Sequence, residues 1–131
     1  MAMQGVDENN AIKSKSFAFA VRVVNLYKYL SVEKKEKIIS RQILRSGTSI
    51  GANTREALAC QTKPMFAAKM NIALSEAHET DYWIDLLNAT SYLSDNEVKT
   101  LKEECVEIIR LLTSIIKTTR ENMRTEQTNE E

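Results

Sequence analysis

The sequence contains little glycine, proline, cysteine or histidine, and each shortage argues against a class of protein. Three glycines and one proline in 131 residues are too few for a turn-rich β fold. One histidine is too few for a di-iron bundle, which takes a Glu-x-x-His motif from each of two helices. Cys60 and Cys105 lack the spacing of a zinc or dithiol motif, so we interpret them as buried free thiols. We therefore expect no metal and no cofactor.

The sequence also lacks a long apolar run. The most apolar early stretch, residues 17–30, is short for a membrane span and carries Arg22 and Lys28. No signal-peptide pattern opens the chain. These features predict a cytoplasmic protein with no membrane partner.

What the sequence does contain is four segments with the 3.6-residue spacing of amphipathic helices. The first is predicted over residues 13–30, and Ser31 is a candidate N-cap for the second. Pro64, the only proline, can open a third helix. Residues 94–97, SDNE, form a capping-box pattern for a fourth.

Short links between amphipathic helices predict a single all-α domain over residues 13–121. The expected architecture is an antiparallel up-down-up-down four-helix bundle. Residues 1–12 and 122–131 have few apolar side chains, so we predict a flexible N-terminal segment and a disordered polar tail.

Residues 44–53, LRSGTSIGAN, bring small side chains together in the middle of the second helix. Glycine inside a helix costs roughly 1 kcal/mol relative to alanine, so two glycines require a compensating contact. A bare stretch of helix lets another backbone approach closely, either within the bundle or on a docked partner. The predicted close-packing seam consists of Ser46, Gly47, Ser49, Gly51 and Ala52.

The third helix places two carboxylates in an otherwise apolar stripe, and carboxylates buried in such a stripe require partners. The predicted structural polar layer across helices 2 and 3 consists of Arg45, Asn53, Glu56, Glu76 and Glu79. A network that fixes helix register and a catalytic carboxylate site both fit this pattern. No nucleophile–base motif accompanies it, and His78, the only imidazole, is expected to be partly exposed. We therefore predict no catalytic residues.

The charges divide unevenly along the chain. Residues 13–69 contain twelve Lys or Arg and three Glu, whereas residues 70–131 contain six basic and thirteen acidic residues. Such a concentration of cations is typical of a surface that contacts phosphates. The candidate nucleic-acid-binding residues are Arg22, Lys28, Lys34, Lys35, Lys37 and Arg41. Two other interpretations stay open: the two halves can complement each other between copies of the chain, or neutralise each other within the bundle.

Two sequence blocks resemble a known bacterial family. LRSGTSIGANTREA (44–57) and KMNIALSEAHETDYWIDLL (69–87) are similar to the four-helix-bundle proteins encoded by intervening sequences of 23S ribosomal RNA genes, often labelled S23 ribosomal proteins. This resemblance implies assembly into a homopentameric ring. A related accessory protein of diversity-generating retroelements looks similar, and there a basic ring surface contacts nucleic acid and the reverse transcriptase.

These observations predict a non-enzymatic homo-oligomer that binds RNA or DNA through the basic surface of helices 1 and 2. The alternative is a scaffold or interaction module that docks another protein and uses its charge asymmetry only for assembly. Charge reversal separates the two: it should abolish nucleic-acid binding in the first case and disturb assembly in the second.

Overall fold

The structure, a computed structural model, describes the backbone of residues 2–130 and the side chains of residues 7–129. It contains four α-helices, α1 (Ala2–Lys28), α2 (Ile39–Leu58), α3 (Lys63–Ala89) and α4 (Asp95–Glu130), and a π-helical turn (Tyr29–Glu33) that continues α1. The described residues form no β-strand. Across the same residues, no helix combines the length and the apolar character that crossing a membrane requires.

The four helices pack around one apolar core. Every helix contributes buried side chains to it, among them Phe19, Ile50, Met70, Ile84 and Leu112. α1 and α3 each contact both α2 and α4, so α1 and α3 stand at diagonal corners. Short links reverse the chain between consecutive helices. The predicted all-α four-helix bundle is confirmed.

At the N-terminal end, the bundle begins earlier than the predicted residue 13. Ile12 is fully buried in the core. The Ser114 hydroxyl of α4 donates a hydrogen bond of 2.7 Å to the Glu8 carboxylate, which ties the first helix to the fourth. The segment predicted to be flexible, residues 1–12, is therefore helical from Ala2 onward, and Met1 lies outside the described residues.

At the C-terminal end, α4 continues past the predicted residue 121 to Glu130. Each residue added to an existing helix gains a backbone hydrogen bond, which favours extension even where side chains are exposed. Lys63 of α3 also pairs with Glu126. The tail predicted to be disordered, residues 122–131, is thus helical except for Glu131, which lies outside the described residues.

The link into α2 differs from the prediction. Ser31 does not cap α2, because it lies in the π-helical turn and its hydroxyl donates to the Tyr27 carbonyl at 2.8 Å. Glu36, which is 7% exposed, takes the capping role. Its carboxylate accepts hydrogen bonds of 3.1, 2.9 and 2.7 Å from the backbone N–H groups of Ile38, Ile39 and Ser40. A carboxylate at this position accepts hydrogen bonds from N–H groups that have no partner within the helix, and its negative charge interacts favourably with the positive end of the helix dipole.

The starts of α3 and α4 agree with the sequence. Pro64 lies in the first turn of α3, where the Thr62 hydroxyl accepts a hydrogen bond of 3.3 Å from the Met65 N–H. At α4, the Glu97 N–H donates to the Ser94 hydroxyl at 3.2 Å, and the Ser94 N–H donates to the Glu97 carboxylate at 2.9 Å. This reciprocal pair is the predicted capping box.

Candidate functional site

The chain passes from α1 to α2 through a compact link with unusual backbone geometry. The π-helical turn ends in a hydrogen bond of 3.2 Å from the Lys34 N–H to the Tyr29 carbonyl. The next residue, Lys35, has a φ of 58°, in the left-handed region that residues other than glycine seldom adopt. Leu30 is fully buried and anchors the link to the core. The link therefore presents its lysines from a fixed backbone.

Three of the six candidate nucleic-acid-binding cations meet at this link. A concavity of about 450 Å³ is lined by Tyr27, Ser31, Val32, Lys35, Lys37 and Arg41. Lys28 is exposed in the last turn of α1, directly before the link. Lys28, Lys35, Lys37 and Arg41 are named the basic corner below.

The other two candidate nucleic-acid-binding residues, Arg22 and Lys34, contact side chains of the bundle. The Nε atom of Arg22 lies 2.6 Å from the Glu104 carboxylate of α4. The Nζ atom of Lys34 lies 5.7 Å from the centroid of the Tyr29 ring, a cation–π contact. Arg22 therefore pairs with α4, and Lys34 lies in the link but does not line the concavity.

Ion pairs between the two halves of the chain account for much of the charge asymmetry seen in the sequence. They join cations of the first half to carboxylates of the second half in the pairs Lys15–Glu107, Arg22–Glu104, Arg45–Glu76, Arg45–Glu79 and Lys63–Glu126. Within residues 7–129, no carboxylate forms an ion pair with any residue of the basic corner. Folding thus neutralises much of the basic half and leaves this corner positive.

Three acidic residues lie near the basic corner, and two of them have hydrogen-bond partners. Glu36 is buried as the cap of α2. Glu97, at the start of α4, accepts hydrogen bonds from the Ser94 N–H and, at 3.1 Å, from the Tyr29 hydroxyl. These two hydrogen bonds lower the pKa of Glu97. Glu36 and Glu97 are therefore occupied, and the third carboxylate, the exposed Glu33 of the π-helical turn, forms no ion pair with a corner cation.

The predicted polar layer forms only in part. Arg45 donates to Glu76 at 3.1 Å and also to Glu79, whose carboxylate accepts a further hydrogen bond of 3.0 Å from the Trp83 indole N–H. The bond from Trp83, followed by the contact with Arg45, lowers the pKa of Glu79. The side chains of Arg45 and Glu79 are 52% and 35% exposed, so these groups form a surface cluster between α2 and α3.

The structure leaves the remaining two members of that layer outside the cluster. The Asn53 amide donates to the Ser49 carbonyl of its own helix at 2.9 Å. Glu56 pairs with Lys69 at 2.9 Å. Asn53 and Glu56 lie about two and three turns beyond Arg45 along α2, and each therefore has a partner other than Glu76 or Glu79.

The five residues of the close-packing seam all lie on α2, but they do not face the same neighbour. A Cβ atom added to Gly47 would lie 2.8 Å from both Cγ atoms of Val23, and one added to Gly51 would lie 3.3 Å from the Ser16 carbonyl oxygen, so both glycines face α1. Ser46 is buried and its hydroxyl shares a hydrogen bond of 2.9 Å with that of Thr80 on α3. Ser49 and Ala52 lie toward the outer surface, half-buried and exposed respectively.

The described residues offer little for catalysis. They contain no group of three or more His, Cys, Asp or Glu side chains able to hold a metal ion. Burial raises the pKa of the Cys105 thiol to about 12, so this thiol is a poor nucleophile. Cys60, predicted to be buried, is only half-buried at the end of α2, and His78 is exposed.

The fold and the site define a class: a small helical bundle with a surface ion-pair cluster and a basic corner whose cations form no ion pair among the described residues. The family model of the 23S rRNA-intervening sequence protein matches residues 8–114, and the chain belongs to this family. The family resemblance seen in the sequence is thereby confirmed.

A solved relative supports both the family and the fold. The crystal structure of a protein with unknown function from the S23 ribosomal protein family of Bacteroides thetaiotaomicron VPI-5482 is 53% identical in sequence to this chain. The alignment covers 84% of this chain and 98% of that one, with a TM-score of 0.83. No curated protein matches the chain.

Proposed function

We propose that this protein is a non-enzymatic, cytoplasmic bundle that binds the phosphate backbone of RNA or DNA through the basic corner. One observation carries the proposal: Lys28, Lys35, Lys37 and Arg41 have no ion-pair partner among the described residues, and three of them surround one concavity. Clustered cations without partners attract phosphates and release counterions on binding.

The placement of these cations suits a polyanion. Lys35 and Lys37 come from the link, whereas Arg41 comes from the first turn of α2, so positive charges converge from two elements of the chain. Because the chain as a whole has a formal net charge of zero, binding should depend on this corner rather than on overall charge. We expect the affinity to fall steeply as salt is added.

The test is a titration of a fluorescent RNA hairpin and a DNA duplex with the purified protein at several salt concentrations. The triple variant Lys35→Gln, Lys37→Gln, Arg41→Gln should weaken binding strongly and reduce the slope of log affinity against log salt by about 2 to 3. The matched control is Lys99→Gln, Arg110→Gln, Lys117→Gln on α4, which removes the same charge from exposed sites. Equal losses in the two variants would contradict the proposal.

A second candidate function is self-assembly into a scaffold that docks another protein. Large apolar side chains are exposed on two diagonal helices, Phe17 and Val21 on α1 and Met65, Ile72 and Tyr82 on α3. Two different patches on opposite corners favour head-to-tail contacts, which close into a ring when the rotation between copies allows. A homopentamer is the ring that the family resemblance implies.

Light scattering on the purified protein tests this candidate. Phe17→Glu or Ile72→Glu should each reduce the molar mass toward that of one chain, because either change places a charge in the contact. Ile38→Glu, at an apolar residue that is also exposed, is the matched control and should leave the mass unchanged. A wild-type protein that is already monomeric at high concentration would eliminate this candidate.

A further inference from the structure

The concavity at the basic corner contains more than cations. Tyr27 and Val32 line it together with Lys35, Lys37 and Arg41. Val32 is 66% exposed although it is apolar, and the Tyr27 hydroxyl forms no hydrogen bond within the described residues. A phosphate backbone alone would use neither an aromatic ring nor an apolar wall. The lining therefore fits a ligand that combines anionic and flat apolar parts.

The backbone around the concavity is itself unusual. The π-helical turn contributes Ser31 and Val32 to the lining, and Lys35 contributes from a left-handed conformation. π-Helical turns and strained residues other than glycine concentrate at functional sites. Both features occur within seven consecutive residues, 29–35, beside the cations of the basic corner.

The size of the concavity restricts what can enter. Its volume of about 450 Å³ is in the range of small-molecule pockets, and it can hold a single base with its sugar. A base in a duplex is paired and stacked, and it reaches such a pocket only after it leaves the stack. A base in a single strand is free to stack on an aromatic side chain while the adjoining phosphates contact cations.

We propose that this concavity binds one unpaired nucleotide of a single strand, with the base against Tyr27 and Val32 and the flanking phosphates on Lys35, Lys37 and Arg41. The inference rests on the proposed nucleic-acid binding and specifies its substrate class. A base next to a phosphate also occurs in a free nucleotide, so the experiment distinguishes a strand from a free nucleoside monophosphate.

The experiment compares a single strand of about 12 nucleotides with the duplex of the same sequence, at one low salt concentration. Wild-type protein should bind the single strand about 5-fold or more tightly than the duplex. Tyr27→Leu should remove most of this preference while duplex affinity stays unchanged, and Tyr27→Phe, which keeps the ring, should bind like wild type. Phe66→Leu, at a half-buried aromatic residue of α3 that neither proposal uses, is the matched control and should have no effect.

Two further measurements keep the inference testable if Tyr27→Leu fails to fold. The preference of the wild-type protein for the single strand requires no variant. Val32→Ser changes an exposed side chain and should also weaken single-strand binding relative to duplex binding.

The outcomes separate this inference from the proposed function. Equal affinity for strand and duplex, unchanged by Tyr27→Leu, would overturn the inference and leave backbone binding in place. A failure to bind either nucleic acid would overturn both. A free nucleoside monophosphate that binds as tightly as the strand would also overturn the inference, since the concavity would then serve a small ligand.

Discussion

The two faces of α2 are held to their neighbours in different ways. Toward α1, Gly47 and Gly51 leave so little space that an added Cβ would lie 2.8 Å from Val23 and 3.3 Å from the Ser16 carbonyl oxygen. Toward α3, Arg45 reaches its carboxylate partners across a surface that is partly open to water. The close approach to α1 depends on shape, whereas the Arg45 cluster at the surface beside α3 depends mostly on charge.

This difference predicts unequal sensitivity to mutation. A closely packed contact has no room for an extra methyl group, and overpacking destabilises a core. An exposed ion pair is screened by water and salt, so its loss changes stability little. The face of α2 with Gly47 and Gly51 should therefore tolerate substitution less well than the face with Arg45, although the sequence singles out residues on both faces.

The largest effect is expected for Gly47→Ala. The new Cβ would overlap both methyl groups of Val23, a β-branched residue whose side chain cannot rotate freely. Overpacking of this kind costs about 1–3 kcal/mol, and the better helix propensity of alanine recovers about 1 kcal/mol. The overlap with two methyl groups places the overpacking cost near the upper end of this range, so we expect a net loss of about 2 kcal/mol in the free energy of unfolding, measured by urea denaturation.

The double variant Val23→Ala, Gly47→Ala provides the control for this prediction. Val23→Ala removes the two methyl groups at 2.8 Å and leaves only the Cβ atom of residue 23, at 3.2 Å, so Gly47→Ala should cost much less in this background than in the wild type. If Gly47→Ala costs the same with and without Val23, the close contact between α1 and α2 is not what requires the glycine.

A smaller effect is expected for Thr80→Val on the α3 face. The Thr80 and Ser46 hydroxyls are both fully buried and share a hydrogen bond of 2.9 Å. Valine keeps the shape but leaves the Ser46 hydroxyl without this partner, which should cost about 1 kcal/mol. Thr80→Ser, which keeps the hydroxyl, is the matched comparison for the polar loss. A valine variant as stable as wild type would show that the hydrogen bond adds no net stability.

A still smaller loss is expected for Gly51→Ala. Its added Cβ would lie 3.3 Å from the Ser16 carbonyl oxygen, a tight contact without the overlap found at Gly47. The gain of about 1 kcal/mol in helix propensity offsets most of the strain. We expect a loss of about 0.5 kcal/mol by urea denaturation. A loss at Gly51 larger than that at Gly47 would reverse the order of the two contacts.

The fold was predictable from the sequence because periodicity and caps are local signals. Pro64 and the SDNE capping box marked two helix starts that the structure confirms. The start of α2 was not predictable in this way, because Ser31 also matches an N-cap pattern. Glu36 serves as the cap from outside α2, through hydrogen bonds that depend on how the link folds back. The predicted bundle, residues 13–121, is shorter at both ends than the helices of the structure, because polar residues can extend a helix that has already formed.

The candidate site was predictable only as a list of charges. The sequence places Lys35, Lys37 and Arg41 within one short segment, but it does not show that Arg22 pairs with Glu104. Tyr27 precedes the basic run, and only the turn of the chain between α1 and α2 brings it into the same concavity. Partners that lie far apart in sequence decide which cations stay unpaired, and a single sequence contains no direct signal for such pairing.

The smallest effect is expected for Glu79→Gln on the charged face. Its partner Arg45 is 52% exposed, and exposed ion pairs contribute between about 0 and 1 kcal/mol, so we expect a loss below about 0.5 kcal/mol at neutral pH. The hydrogen bond from Trp83 and the contact with Arg45 lower the pKa of Glu79 in the folded protein. The folded state therefore favours the ionised carboxylate, and this stabilisation is present at neutral pH and is lost as the pH falls through the lowered pKa. The difference in unfolding free energy between wild type and Glu79→Gln should consequently shrink below about pH 4, and added salt should reduce it at pH 7. A loss of several kcal/mol that is insensitive to salt would mean that Glu79 is buried in the functional protein, for example by a second copy of the chain against α3, and that both faces of α2 depend on close contact.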